Sequence, residues 1–273
     1  MASASTAEQT RCATADSPQS SSREPKQRAV PGVHDAARRL LDKLPRGKLI
    51  DVAAGNGAMS HWASANSFQV TAVDVAPDLF ELEDVQFIEA DLNERLPLPD
   101  ESADVAVGCE IIEHLENPFH FMRELARVTC PGGHVVISTP NEHNVQCRWS
   151  YFTTGFYGHS PYVIREDDPK LPLRHIHMVP LSQLELAWRC AGLELIRYEV
   201  SRFRKWSFLL LPFLYPLQTL RLMIRMKWFV RDKEAKQLNQ RVFSLMNDPR
   251  IFLGRTIVYL LRKPQREIKL HKS

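Results

Sequence analysis

Two groups of residues have the types and spacing to do chemistry. The first is Asp51-Val-Ala-Ala-Gly55-Asn-Gly57, directly after the apolar run Lys48-Leu-Ile and ahead of a helical segment. A buried strand that runs into an acid and two close glycines is how an open α/β sheet builds a nucleotide pocket. Glycine lets backbone approach a ligand without a Cβ in the way and tolerates the positive φ of a tight turn. A further acid, Asp74, closes the run Val70-Thr-Ala-Val. An acidic side chain about 20 residues after such a turn is placed to accept hydrogen bonds from ribose hydroxyls. An adenosine-type cofactor is therefore expected. The second group is Glu110-Ile-Ile-Glu113-His114, with Arg174-His-Ile-His177 much later in the chain. Read as the start of a helix, positions 110, 113 and 114 share one face. Two carboxylates and an imidazole gathered there suit a cation, and His177 supplies a fourth ligand, with His175 an equally adjacent candidate. Glutamates near a helix N-terminus also gain about 0.3–1 kcal/mol from the helix dipole with no cation present. In that case His114 or His177 is the general base, since imidazole titrates near neutral pH.

The first group also says which adenosine cofactor to expect. A nicotinamide dinucleotide site wants a third glycine, G-x-G-x-x-G, but Ser60 stands there. Asp51 would repel a pyrophosphate, whereas it would attract the amino group of S-adenosylmethionine. With Asp51, Gly55, Gly57 and Asp74 in place, the chain resembles the class I S-adenosylmethionine-dependent methyltransferases, whose first motif reads D-x-G-x-G-x-G. Ala53 departs from that pattern at its first glycine. The resemblance covers roughly residues 34–200 and a terminal strand. It implies that Asp51, Gly55, Gly57 and Asp74 hold the cofactor and that Asp91 contacts its adenine amino group. The E-x-x-E-H arrangement with a later histidine is similar to the ubiquinone-pathway O-methyltransferases and to the family that 2′-O-methylates the 3′ ends of small RNAs. In the latter these positions hold a divalent metal, which implies Glu110, Glu113, His114 and His177 as ligands of Mg²⁺ or a similar ion.

These residues need elements to position them. Val85–Asp91 reads as a third strand ending in an acid, and Ser102–Cys109 as a fourth, with the Val/Ala content of a parallel sheet. Asn117–Val128 has apolar residues at largely helical spacing. Cys130-Pro-Gly-Gly133 should stop that helix, and Gly133–Thr139 follows as a fifth strand. Sixth and seventh strands are expected at about 193–200 and 255–261. Alternation of strand and helix from 47 to 139 argues a doubly wound α/β sheet, Rossmann-like, and the resemblance implies seven strands. The expected organisation is a disordered tail over 1–30, a methyltransferase domain over 31–200 and 251–263, an inserted helical segment over 201–250 before the last strand, and a basic tail over 264–273.

With 273 residues, 44% of them hydrophobic, the chain can bury one α/β core and carry an embellishment. A net charge of +3 gives no global polyanion signature. The five cysteines (12, 109, 130, 147 and 190) lack C-x-x-C spacing, which fits a reducing cytosol and no zinc cluster. Cys109 and Cys190 fall at buried-looking positions. The first 30 residues contain no apolar run and do not read as a secretory signal.

Between the sixth and seventh strands lie about 50 residues where this class has a short connection. From Arg202 to Arg231 there are seven basic residues and no acidic one. The apolar stretch Trp206–Leu220 is shorter than the ≈ 20 residues that span a bilayer, and Pro212 and Pro216 interrupt it. Leu and aromatic residues beside Arg and Lys describe a segment lying in a membrane interface; a lid and a dimer contact are the alternatives. The Leu-rich run argues against RNA as partner. Arg148–His159, rich in aromatics, resembles a stretch of methyltransferases encoded with glycan-assembly enzymes and is expected to form part of the acceptor pocket. The expected activity is S-adenosylmethionine-dependent O-methylation of a hydroxyl on a sugar or lipid-linked saccharide, in the cytoplasm or on the inner face of the membrane. A quinone or catechol hydroxyl and an RNA 3′ end are the alternative acceptors. A cofactor-binding membrane adaptor without turnover is the alternative of another class.

Overall fold

The computed structural model describes residues 25–157, 175–176, 178–203, 207–229 and 233–265. Seven strands form one sheet: β1 (Lys48–Val52), β2 (Gln69–Asp74), β3 (Gln86–Glu89), β4 (Ala103–Gly108), β5 (Thr129–Pro140), β6 (Glu194–Val200) and β7 (Thr256–Arg262). Their order across the sheet is β3-β2-β1-β4-β5-β7-β6. β1 to β5 pair in parallel, and β7 runs antiparallel between β5 and β6. The doubly wound, Rossmann-like seven-stranded expectation holds.

Parallel strands buried on both faces explain why the sequence reads as unbroken Val/Ala/Ile runs. Ile50, Val52, Ala106, Val135, Ile137, Ile257 and Tyr259 face one side, against helices α3 (Pro118–Val128) and α5 (Leu181–Cys190). Leu49, Val105, Val107, Val136, Val258 and Leu260 face the other, against α1 (Val33–Leu41) and α2 (Ala58–Ala65). Asn117 caps α3 by accepting a hydrogen bond from His120 N at 2.9 Å, and Pro118 takes the first helical position, where its missing N–H costs nothing.

Four local expectations change. The stop at Cys130-Pro-Gly-Gly133 is part of β5, because Gly132 N donates to Lys263 O at 2.8 Å and Lys263 N to Gly133 O at 2.9 Å. Cys190 is exposed at the end of α5, whereas Cys109 is partly covered as a residue with its thiol buried. The N-terminal segment is not featureless as far as residue 30. Residues 1–24 lie outside the described residues, but Ala29 and Val30 pack on the α1 side of the sheet and Lys26 O accepts from Asn56 Nδ2 at 2.9 Å. The fourth concerns the two prolines of the insert, which form part of a continuous helix.

Helix α4 (Val145–Thr154) follows β5, and α6 (Ser207–Phe229), α7 (Lys233–Met246) and α8 (Pro249–Leu253) separate β6 from β7. Pro212 and Pro216 sit within the 23 residues of α6 without ending it. Both are exposed, and tertiary anchors hold the helix across them. Tyr215 Oη donates to Asn247 O at 2.6 Å, Gln218 Nε2 to Met246 O at 2.8 Å and Thr219 Oγ1 to Asn247 Oδ1 at 2.7 Å. Because β7 is reversed, Val200 at the end of β6 pairs with Ile257 near the start of β7, and Pro140 at the end of β5 pairs with Thr256. The insert therefore leaves and rejoins the sheet at the edge where the parallel strands end. In open α/β sheets ligands bind at that edge, where strand order reverses, here between β1 and β4.

Candidate active site

The first motif builds a tight turn at the end of β1. Ala53, Gly55 and Gly57 take φ of 64°, 55° and 88°. The turn is tied to its neighbour strand, with Ala53 N and Ala54 N donating to Val73 O at 2.8 and 3.2 Å. A Cβ on Gly57 would come within 2.9 Å of Leu82, so that glycine is required by protein packing as well as by φ. A Cβ on Gly55 would meet no protein atom within 4 Å. The open side of the turn is backbone that a ligand can approach. Asp74, at the end of β2, braces it: its Oδ2 accepts from Gly55 N at 2.8 Å and its Oδ1 from Ala76 N at 3.0 Å.

Asp51 lies beneath the turn, 2% exposed, and Ser60 donates its hydroxyl to Asp51 Oδ2 at 2.6 Å. Ser60, where a dinucleotide site carries glycine, thus has a positive use that sequence spacing did not show. Burial pushes the Asp51 carboxyl up to about 7, and the charge of Asp74 adds to the rise, while the Ser60 bond opposes it. A cation arriving beside it would restore the anion. Asp91 lies two residues past β3, with Oδ1 accepting from Asn93 N at 2.9 Å and Nδ2 at 3.1 Å. The recessed acid Asp51, open backbone at Gly55, Asp74 at the end of β2 and Asp91 just past β3 fit the ammonium, ribose and adenine portions of an aminoacyl nucleoside. Asp51, Gly55, Gly57, Asp74 and Asp91 are the residues that would hold it.

The second motif departs from its expected geometry. Glu110 takes φ 52°, with its N–H donating to Ser138 Oγ at 2.8 Å, and only Ile112–His114 form a 3₁₀ turn. No α-helix begins there, so the shared face of 110, 113 and 114 is lost. The Glu110 carboxylate turns toward the N-terminal segment and accepts from Val30 N at 2.8 Å. Glu113 goes the other way. It is 1% exposed, and neither carboxylate oxygen has a hydrogen-bond partner among the described residues. Burial, then the Glu110 charge, pushes its carboxyl up to about 8. The His114 and His175 rings meet edge to face with centroids 4.8 Å apart. Ligand-capable atoms of Glu113, His114 and His175 lie within 4.8 Å of one another. His175 is brought in by Ile176 N, which donates to Glu113 O at 3.0 Å. Glu110 is not in this group, and His177 lies outside the described residues.

Both motifs share one neighbourhood. The Cys109 thiol is held far above its ordinary range, first by burial and then by the charges of Asp51, Glu110 and Glu113. On the rim, α4 carries Trp149, Tyr151 and Phe152 exposed, with Phe156 just after it, and Tyr151 stacks on Tyr157 at 4.3 Å. Residues 158 and 159 of that aromatic stretch lie outside the described residues. Asn141, Glu142 and His143 close the end of β5. Leu181 N donates to His143 Nε2 at 3.1 Å, which ties α5 to this rim, a contact that sequence spacing did not suggest.

The comparisons with known proteins bear on the family and the fold. A family described as "Methyltransferase domain" matches residues 26–198. The chain is similar to the 27-O-demethylrifamycin SV methyltransferase of Amycolatopsis mediterranei, 29% identical over 38% of this chain and 45% of that protein. It is also similar to a ubiquinone biosynthesis O-methyltransferase of Xanthomonas campestris pv. campestris, 31% identical over 36% of this chain and 45% of that protein. The chain thus spans less than half the length of these relatives. A crystal structure of an S-adenosylmethionine-dependent methyltransferase from Archaeoglobus fulgidus matches with a TM-score of 0.54 at 16% identity, over 85% of this chain and 93% of that one, and shows the shared fold. Given the β1 turn with its buried acid and the acids at or just past the ends of the next two strands, the match over most of the sheet has one meaning: the chain belongs to the S-adenosylmethionine-dependent methyltransferases.

Proposed function

We propose that this enzyme methylates a hydroxyl oxygen of a sugar or lipid-linked saccharide, with His114 as general base. Oxygen as the acceptor atom is supported by the two curated relatives, both O-methyltransferases by name or by the site in their name. The sugar is supported by one observation, the exposed aromatic shelf of α4 at the rim of the cofactor edge. Aromatic faces suit the C–H surface of a pyranose, and pockets that orient ligands combine such faces with a few polar groups. S-adenosylmethionine, when bound, supplies an electrophilic methyl group. The chain has to align the acceptor oxygen, exclude water and take the hydroxyl proton. Alignment of reactants can supply roughly 7–11 kcal/mol of the barrier, and a positioned base contributes about 10²–10⁴-fold. His114 sits beside buried Glu113, whose carboxyl is held protonated near neutral pH by burial and would ionise as an imidazolium forms next to it.

A second reading is favoured by the bare oxygens of Glu113 beside two imidazoles. Glu113, His114 and His175 would hold a divalent cation, which lowers the pKa of an oxygen acid by several units and suits a catechol or another vicinal diol. The test is methyl transfer from labelled S-adenosylmethionine to a panel of reducing sugars, polyprenyl-linked saccharides, catechols and RNA 3′ ends, with and without EDTA. Labelled saccharide, unchanged by EDTA and reduced about 10²-fold or more in His114→Asn, is the expected result. Labelling of catechol alone, lost in EDTA and restored by Mg²⁺, would replace the first reading by the second. Label on nitrogen would remove both.

A further inference from the structure

Helix α6 carries two surfaces to which the proposed reaction assigns no role. Its inner face packs Leu211, Leu214 and Tyr215 on Val145, Phe252 and Leu253. On the outer side Leu209, Phe213, Leu217, Leu220 and Ile224 recur at spacings of four, four, three and four, which a 3.6-residue period gathers into one stripe. All five are exposed, Phe213 at 75%. An apolar stripe of this length on a surface marks an interaction site. Ser207–Phe229 contains no acidic residue, while Arg221, Arg225 and Lys227 lie toward its end.

Beside the stripe is a groove of about 520 Å³ lined by Arg148, Gln218, Arg221, Leu222, Ile224 and Arg225. Ile224 belongs to both surfaces. Arg148 reaches the groove from α4. Its Nε donates to His143 O at 2.7 Å and its Nη1 to Gln218 Oε1, but Nη2 is buried with no hydrogen-bond partner among the described residues. Burial holds its pKa down to about 10 against the pull of Glu142. Among the described residues the lining carries three arginines and no acid, and most of its surface is apolar, which suits an apolar tail with an anionic head.

By length and composition Ser207–Arg225 could cross a membrane, with mean hydropathy 1.4. Spanning would break the bonds of Tyr215, Gln218 and Thr219 to the end of α7 and leave polar groups unsatisfied in hydrocarbon. Lying along the surface keeps them. A second copy of this helix on the stripe would bring Arg221 toward the same charge, whereas an anionic surface attracts the basic end of the helix. We propose that α6 docks on an anionic phospholipid surface, its outer stripe in the interfacial layer and a lipid phosphate in the Arg148–Arg221–Arg225 groove. The site's rim then faces the bilayer, whatever acceptor it serves.

The experiment is flotation of the full chain with vesicles of phosphatidylcholine alone or mixed with phosphatidylglycerol, with S-adenosylmethionine binding measured by calorimetry in parallel. The wild type should float with the anionic vesicles only, and less as salt rises. Arg221→Glu/Arg225→Glu should lower partitioning at least roughly thirtyfold, about fivefold for each charge removed. Phe213→Ser/Leu217→Ser should lower it as well. Cofactor binding should stay unchanged in both variants, which separates failure of docking from failure of the methyltransferase site. Equal flotation with neutral vesicles, salt-independent binding, or wild-type flotation by both variants would overturn the proposal. So would a dimer in sedimentation equilibrium that Phe213→Ser/Leu217→Ser dissociates, since the stripe would then belong to a second copy. The wild-type salt series decides the matter by itself should a variant lose its fold.

Discussion

Ala53 sits at φ 64°, a conformation in which a Cβ crowds the carbonyl oxygen at roughly 1–2 kcal/mol. The family pattern has glycine there, so the departure loads strain into the cofactor turn. Ala53→Gly should stabilise the protein by about 0.5–1 kcal/mol, the relief of strain less the extra freedom of glycine in the unfolded chain. Urea unfolding checks this. Asp51 leads to a pH prediction. Its folded pKa, about 7, lies above its ordinary 3.8, because burial penalises the anion. The fold therefore binds that proton more tightly than the unfolded chain does. Stability from this group is full below about pH 4 and is lost as pH rises through about 7. Asp51→Asn should flatten that part of the ligand-free stability profile. Affinity for S-adenosylmethionine runs the other way, rising through about pH 7 in the wild type as the carboxylate ionises to meet the ammonium. Thermal melts and calorimetry across that range would show opposite slopes in the wild type and neither in the variant.

At the scale of elements, Asn141 ties the end of β5 to the far end of the insert. Its Nδ2 donates to Ile251 O at 2.5 Å and Gly254 O at 2.8 Å, and it is 2% exposed. Asn141→Ala would leave two buried carbonyls without donors, a loss of about 2–4 kcal/mol. Urea midpoints should fall, and limited proteolysis should cut α8 first. Such ties also mark the boundary of what the sequence discloses. The strands were legible because both faces of a parallel sheet are buried, which leaves a run of Val, Ala and Ile with no need of a partner's identity. The turn at Gly55 and Gly57 was legible because its backbone demands those residues locally. The path of Glu110 was not. Its N–H is fixed by Ser138 and its carboxylate by Val30, 28 and 80 residues away, so a helical spacing of acids does not make a helix here. Gly132 likewise reads locally as a stop, and only pairing with Lys263 makes it part of β5. His175 enters the site through a backbone bond to Glu113, which no spacing rule reports.

The molecule as a whole divides into a sheet with covered faces and an insert with one bare side. The two sides of α6 should respond differently to mutation. Leu209→Ser or Phe213→Ser should change stability by no more than about 0.5 kcal/mol, because the unfolded chain exposes them too. Leu214→Ala, on the packed face, should cost about 1–3 kcal/mol. Chemical denaturation of the three variants checks the contrast. The reversed strand has a further consequence for how the chain matures. β7 is the last strand to be synthesised, yet it lies between β5 and β6. Until residue 262 has emerged, those two strands expose backbone donors and acceptors along facing borders, and closing the gap is a long-range step of the slow kind. A nascent chain halted after Gly254 would hold most of its helices and an open slot in its sheet. Such a slot is a template for any extended segment that meets it. Ribosome-bound intermediates of this length should recruit chaperones, and a synthetic peptide of residues 255–263 supplied in trans should release them.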